Sequence, residues 1–259
     1  MLALCCLGSS APGSPRLQAS RPGPPEIQVA AAVSLTEAMQ EIAAAFEKEQ
    51  GVRVMLNLAA SNVLSRQIVA GARTDVFISA DAIQMAPVER AGLVRRSVDL
   101  LINHLVVLVA ADSKVPIASA QDLLRPEIAR ISIGDPAGVP AGVYARQYLE
   151  RAALWKPLEP KIVPTASVRA ALAALESGNV DAAIVYRSDA VIARRARIAY
   201  PSPPEPVVIY PAALISSAPE AERFFAYLRS PEADLVFQRH GFGVPGVRQE
   251  RTMPPKDGA

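Results

Sequence analysis

Five short stretches of this chain each place a small hydrogen-bond donor where a helix or strand begins or ends. They are Ser34 in AAVSLTEAM, Ser61 in AASNVLSRQI, Ala141 in DPAGVPAGVYA, Val168 in TASVRAALAALESG and Tyr186 in AAIVYRSDA. None of them supplies a metal ligand set or a nucleophile with its base. Helix N-termini carry unpaired backbone N–H groups and a partial positive charge, so several converging on one point form a socket for an anion. The chemistry implied is binding, not catalysis.

Each stretch also has an ordinary local reading. Ser34 with Glu37 three residues on spells a capping box, and Ser61 or its neighbour Asn62 can cap the helix that follows. Pro140 suits a first helical turn, with Ala141 and Gly142 keeping the backbone open to close approach. Thr165 and Ser167 are routine caps, which leaves only the backbone N–H of Val168 for a ligand, and Tyr186 ends a buried strand as core tyrosines do. The coincidence of all five favours the anion socket.

The elements that must position these groups follow from periodicity. A strand at 27–33 leads into apolar positions 35, 38, 39, 42, 45 and 46, a helical spacing that Gly51 ends. A strand VRVMLNLAA, a helix from about Asn62 to Ala70 and a buried strand at Val76–Ile78 complete a β-α-β-α-β unit, which indicates a parallel α/β sheet. NHLVVLVA at 103–110 opens a second unit through ARISIGD, the helix after Pro140, PKIVP, the helix ending at Gly178 and DAAIVY. The proline-rich YPSPPEPVVIYPAALI returns as an extended segment, and two helices, AERFFAYLRS and ADLVFQRHG, close the chain. Two α/β units joined by two crossings predict two lobes with a cleft between them. The expected division is 1–25 signal and linker, 26–103 with 207–247 as the first lobe, 104–206 as the second, and 248–259 as a flexible tail.

Composition narrows the function classes. The 259 residues are 51% hydrophobic and 20% charged, with a formal charge of +2 and basic residues dispersed except for the Arg pairs at 95 and 194, so no nucleic-acid stripe is present. Nothing after the leader has the 18 or more consecutive apolar residues of a bilayer span. GFGVPG at 241–246 matches a dinucleotide fingerprint in letters but follows no strand and opens no helix. His104 and His240 lie far apart and make no metal set, and the two cysteines, Cys5 and Cys6, are adjacent in the leader. That leader, MLALCCLGSSAPGSPRLQASRPG, reads as targeting sequence plus linker, and its Leu-Ala-Leu-Cys-Cys run is similar to a bacterial lipoprotein cleavage site, which would lipidate Cys5 or Cys6.

Taken together, AAVSLTEAM, the run from AAS to TDVFISAD, GDPAGVPAGVYA, SVRAALAALESG and IVYRSDA resemble the periplasmic molybdate-binding proteins of bacterial molybdate ABC importers, in order from about Ile27 to about Phe242. The resemblance implies a class II periplasmic binding protein fold with two crossover strands as hinge, closing on a tetrahedral oxyanion. By position it implies that Ser34 and Ser61 donate through hydroxyl and backbone N–H, Ala141 and Val168 through backbone N–H, and Tyr186 through its phenol. Molybdenum would be held only as the oxyanion, without cofactor or direct protein–metal bonds, and tungstate would bind similarly. The partners implied are an ABC permease and its ATPase, for a monomeric exported protein. Asn62 stands where a serine is common in the family. Arg169, beside Val168, is expected to lend charge at a distance without touching the ligand. The alternatives are a carrier of another oxyanion such as sulfate, or the ligand-sensing domain of a regulator. The second would need a helix-turn-helix segment, which the first 26 residues do not spell.

Overall fold

A computed structural model describes residues 24–201, 206–248 and 250–252. The expected signal and lipid-anchor features at Cys5 and Cys6, and the last residues of the tail, lie outside the described residues.

The chain begins with β1 (Glu26–Ala32), a 3-10 turn (Val33–Leu35), α1 (Thr36–Gln50), β2 (Arg53–Ala59), α2 (Ser61–Val69), β3 (Val76–Ile78), α3 (Ala82–Arg90) and β4 (Arg96–Asn103). After His104 come β5 (Leu105–Ala110), β6 (Ile131–Gly134), α4 (Pro140–Arg151), α5 (Trp155–Leu158), β7 (Ile162–Thr165), α6 (Val168–Glu176), β8 (Ala182–Tyr186), α7 (Arg187–Ile192) and β9 (Ala196–Pro201). It then returns through β10 (Val208–Leu214), α8 (Pro219–Tyr227), α9 (Pro231–Arg239) and β11 (Glu250–Thr252).

These strands form two sheets. The first has the order β11-β4-β10-β3-β1-β2 and the second β7-β6-β8-β5-β9. β1 runs parallel to β2 and β3, whereas β10 is antiparallel to β3 and β4. In the second sheet β6 is parallel to β7 and β8, and β5 is antiparallel to β8 and β9. The chain crosses between sheets where β4 gives way to β5 at His104 and again between β9 and β10, which makes two lobes.

The first sheet is covered on both faces, as alternation along its strands requires. Val76 and Ile78 pack into the main core with α1, while Phe77, between them, faces the other way onto Leu64 and Ile68 of α2 and Met85 and Val88 of α3. In α1 the buried set is Ala38, Met39, Ile42, Ala43 and Phe46, with Gly51 at φ 64° terminating the helix in the left-handed conformation that glycine tolerates. Ala45, expected on the apolar face, is exposed, and Ala43 is inside instead. Phe46 meets Phe224 of α8 edge to face at 5.0 Å, and burying such a ring stabilises by roughly 1.5–3 kcal/mol.

Two elements lie where the sequence reading assigned none, and a third departs from it. β4 is a full strand although Asp99 interrupts its apolar pattern, and α3 is a helix in spite of Pro87 inside it. The tail expected to be flexible from 248 includes β11, which pairs antiparallel with β4. Its charges are paired there: Glu250 with Arg96 at 3.5 Å and Arg229 at 2.5 Å, Arg251 with Asp99 at 3.0 Å, and the preceding Arg248 with Asp234.

Candidate functional site

The five residues singled out in the sequence line one small cavity between the lobes, with Ala60 and Ala80 filling part of its wall. The cavity is small, and its walls come from Ser34, Ser61 and Ala80 on one lobe and Val139, Ala141, Val168 and Tyr186 on the other. Ser34, Ser61, Ala141, Val168 and Tyr186 are each no more than 3% exposed. Any ligand here is stripped of bulk water, and its polar atoms must be matched by the protein.

Ser34 lies in the turn between β1 and α1, and its side chain does not cap α1. The expected capping box with Glu37 does not form, because both partners are taken by distant groups: Ser34 Oγ lies 2.9 Å from the Tyr210 hydroxyl, and Glu37 pairs with Arg169 at 2.6 Å. The direction of the first bond follows from its neighbours. Asn103 Oδ1 accepts from the His104 backbone N–H at 2.9 Å, so Nδ2 is its donor end and reaches Ser188 Oγ at 2.9 Å and the Tyr210 oxygen at 3.4 Å. Tyr210 accepts from Asn103, and Ser34 Oγ is the acceptor its own proton can reach; donated there, that proton leaves the Ser34 O–H to point into the cavity.

Ser61 is the first residue of α2, which starts one position earlier than expected, with Ala60 as the capping residue. Neither Ser61 nor Asn62 therefore caps this helix. Ser61 Oγ accepts the Ala80 N–H at 2.9 Å, and its O–H is likewise left free to donate. Asn62 instead faces Gly138 of the other lobe, where an added Cβ would lie 3.1 Å from its Nδ2.

The second lobe contributes two helix starts. Pro140 has no N–H, so Ala141 carries the first backbone donor of α4. Gly142 is small for packing, not for ligand access: a Cβ there would stand 1.9 Å from the Gly134 carbonyl oxygen. In α6 the cap Ser167 is spent on the Ala170 N–H at 3.1 Å, so the N–H of Val168 has no acceptor within the helix. Thr165, expected as a cap, instead donates to the carbonyls of Ile133 and Ser167. The Tyr186 hydroxyl is buried without a partner among the described residues, unlike the satisfied core tyrosine of the ordinary local reading. Burial, followed by the proximity of Tyr210 and Asp81, raises its pKa well above the ordinary value, so it remains a protonated donor.

Charged groups stay at the second layer. Burial pushes the Asp81 carboxyl up to about 6, opposed by the N–H groups of Gln84 and Ile83 that it caps at the start of α3. Burial likewise raises Asp189 to about 6 against the pull of Arg169. His240 pairs with Glu41 at 3.0 Å, and among the described residues no cluster of three His, Cys, Asp or Glu side chains could hold a metal ion. The residues missed by sequence reasoning are Asn103, Tyr210, Asp189 and the contacts of Arg169. Only Asn103 left a trace in the sequence, as a polar residue within the apolar run LLINHLVVLVA.

Residues 27–243 match the family model for bacterial extracellular solute-binding proteins. The molybdate-binding protein ModA of Escherichia coli strain K12 is 38% identical over 231 residues, covering 85% of this chain and 89% of that protein. The substrate binding domain of a putative molybdenum ABC transporter from Clostridium difficile is 31% identical with a TM-score of 0.68, covering 85% of this chain and 99% of that one. The sulfate-binding protein SubI of Mycobacterium tuberculosis H37Rv shares the fold alone, at 18% identity and a TM-score of 0.75 over 84% of this chain and 86% of that one. A two-lobed fold, a donor-lined cavity between the lobes and a family model spanning most of the sequence agree: this chain belongs to the bacterial extracellular solute-binding proteins.

Proposed function

We propose that this protein captures molybdate, and tungstate equally, between its two lobes outside the cytoplasm and delivers it to an ABC importer. The observation that carries the reading is the polarity of the cavity. Its serine hydroxyls have their acceptor sides occupied, its tyrosine hydroxyl is unpartnered, and its remaining polar groups are helix-start N–H groups. A lining that only donates satisfies every oxygen of a fully deprotonated oxyanion. It leaves the proton of an ion such as hydrogen phosphate without an acceptor, which disfavours that ion. Sulfate has the same charge and shape, so its exclusion rests on size.

Ser34, Ser61 and Tyr186 supply side-chain donors in this reading, and Ala141 and Val168 supply backbone donors. Five to seven charge-assisted bonds at about 1.5–3 kcal/mol each reach the roughly 12 kcal/mol of nanomolar binding after closure and desolvation costs. The lobes comprise 26–103 with 207–247 and 104–206, hinged at the two crossings. The protein acts as an exported monomer, free or tethered through a lipid on Cys5 or Cys6, and docks its closed form on the permease and ATPase.

Calorimetric titration of the purified protein in buffer free of oxyanions tests the reading. Tight one-to-one binding of molybdate and tungstate, with a large excess of sulfate silent, is the expected result. Comparable sulfate binding, or no heat with molybdate, would overturn the cargo assignment.

A further inference from the structure

We infer that Arg169 is a positioning residue that clamps the two lobes together and holds three of the five cavity groups in place. It is the second residue of α6, directly after Val168. One terminal nitrogen, Nη2, donates to the Ser34 carbonyl at 3.1 Å and to Glu37 Oε2 at 2.6 Å, both on the other lobe. Its Nε lies 3.0 Å from Asp189 Oδ1, and Asp189 Oδ2 accepts the Tyr186 backbone N–H at 3.0 Å. A single guanidinium thus touches the Ser34 turn directly, orders Tyr186 through a wholly buried carboxylate, and grows from the helix start that offers the Val168 N–H.

The arrangement explains the placement of charge around a cavity that holds none. Nη2 bonds two acceptors of the other lobe while Nε keeps its ion pair with Asp189, a spread of contacts along one rigid plane that an ammonium on a flexible stem does not reproduce. Asp189 is fully buried and the Arg169 side chain only 16% exposed, so their pairing is shielded from water, whereas Glu37 at 37% is the accessible end of the clamp. Separating the lobes breaks the contacts to Ser34 and Glu37 but leaves the pair with Asp189 intact. Arg169 therefore stays poised in its own lobe and is completed only on closure.

The binding arm of the test rests on the oxyanion reading of the cavity, and the distance arm does not. Spin labels at Glu49→Cys and Lys156→Cys, with Cys5→Ser and Cys6→Ser in the full chain, report the distance between lobes. Without ligand, the parent is expected to populate the short distance, and Arg169→Lys and Glu37→Ala to lose it. Identical distance distributions in all three would overturn the clamp, even if molybdate fails to bind the parent. With molybdate, both variants should bind at least ten-fold more weakly through faster dissociation measured by stopped flow. Wild-type affinity and dissociation in Arg169→Lys, with loss only in Arg169→Met, would show that charge at a distance is its whole contribution and would also overturn the clamp. Glu37→Ala alters only the accessible end, so a folding defect in the Arg169 variants leaves the test in force. Absence of heat from molybdate, tungstate and sulfate in the parent would count against the oxyanion reading alone.

Discussion

Removing the hydroxyl of Tyr210 is the sharpest test of how Ser34 is made into a donor. In Tyr210→Phe the ring keeps its edge-to-face contacts with Tyr186 at 5.9 Å and Phe242 at 5.4 Å, so packing is preserved and a single oxygen is lost. Asn103 retains Ser188 Oγ at 2.9 Å, the shorter of its two bonds. Ser34 Oγ, however, loses the donor at 2.9 Å that fills its acceptor side. With the lobes apart, water can replace it; around a bound ion in the closed cavity, water cannot. The penalty of about 1–3 kcal/mol for an unsatisfied buried acceptor thus falls on the loaded state, which is a loss of roughly 5- to 150-fold in affinity. Titration calorimetry with molybdate reads this directly. Ser34→Ala alone should cost at least about 1.5 kcal/mol from the lost charge-assisted donor. Because Tyr210 acts through Ser34, the double variant should bind no worse than Ser34→Ala. Additive losses, or an unchanged affinity in Tyr210→Phe, would refute the relay.

Two further outcomes follow from the site. Tyr186→Phe removes a hydroxyl that has no partner among the described residues, so ligand-free unfolding should change by less than about 1 kcal/mol while molybdate binding weakens by about 1.5–3 kcal/mol; equal binding in calorimetry would remove the phenol from the donor set. Asp81→Asn tests burial of a carboxylate. A carboxyl raised from 3.8 to about 6 on folding favours the fold fully below about pH 4, and that contribution, about 3 kcal/mol at most, is lost as pH rises through 6. Asparagine still caps the Gln84 N–H, so the variant should gain thermal stability over the parent at pH 7.5 and little at pH 4. A gain of equal size at both pH values would exclude the carboxylate as its source.

How much of this was legible beforehand depends on the range over which each group finds its partner. The apolar spacing of α1, the stop at Gly51 and the triple Val76-Phe77-Ile78 are local patterns, and the structure follows them closely. The gathering of Ser34, Ser61, Ala141, Val168 and Tyr186 around one cavity was readable because each marks the end of an element, and parallel strands bring such ends to one edge of a sheet. The capping box at Ser34 was misleading because three-residue spacing carries no information about a tyrosine 176 positions away. Gly142 was misassigned for the same reason, since its constraint comes from the carbonyl of Gly134 on the strand beneath. Strand β4 was hidden by Asp99, whose charge makes sense only beside Arg251 on the edge strand that covers it.

The first turns of α4 and α6 present N–H groups, and those groups are the same whatever side chain the residue bears. In the proposed reading, recognition at Ala141 and Val168 is thereby written in the path of the main chain. Exchanging either residue for another that fits the wall leaves the donor untouched, so a substitution scan at these two positions would report bulk and not polarity. Retuning the protein toward a larger or smaller ion then calls for sliding or rotating a helix end, for example by adding or removing a residue in the loop before Pro140, more than for replacing what lines the cavity.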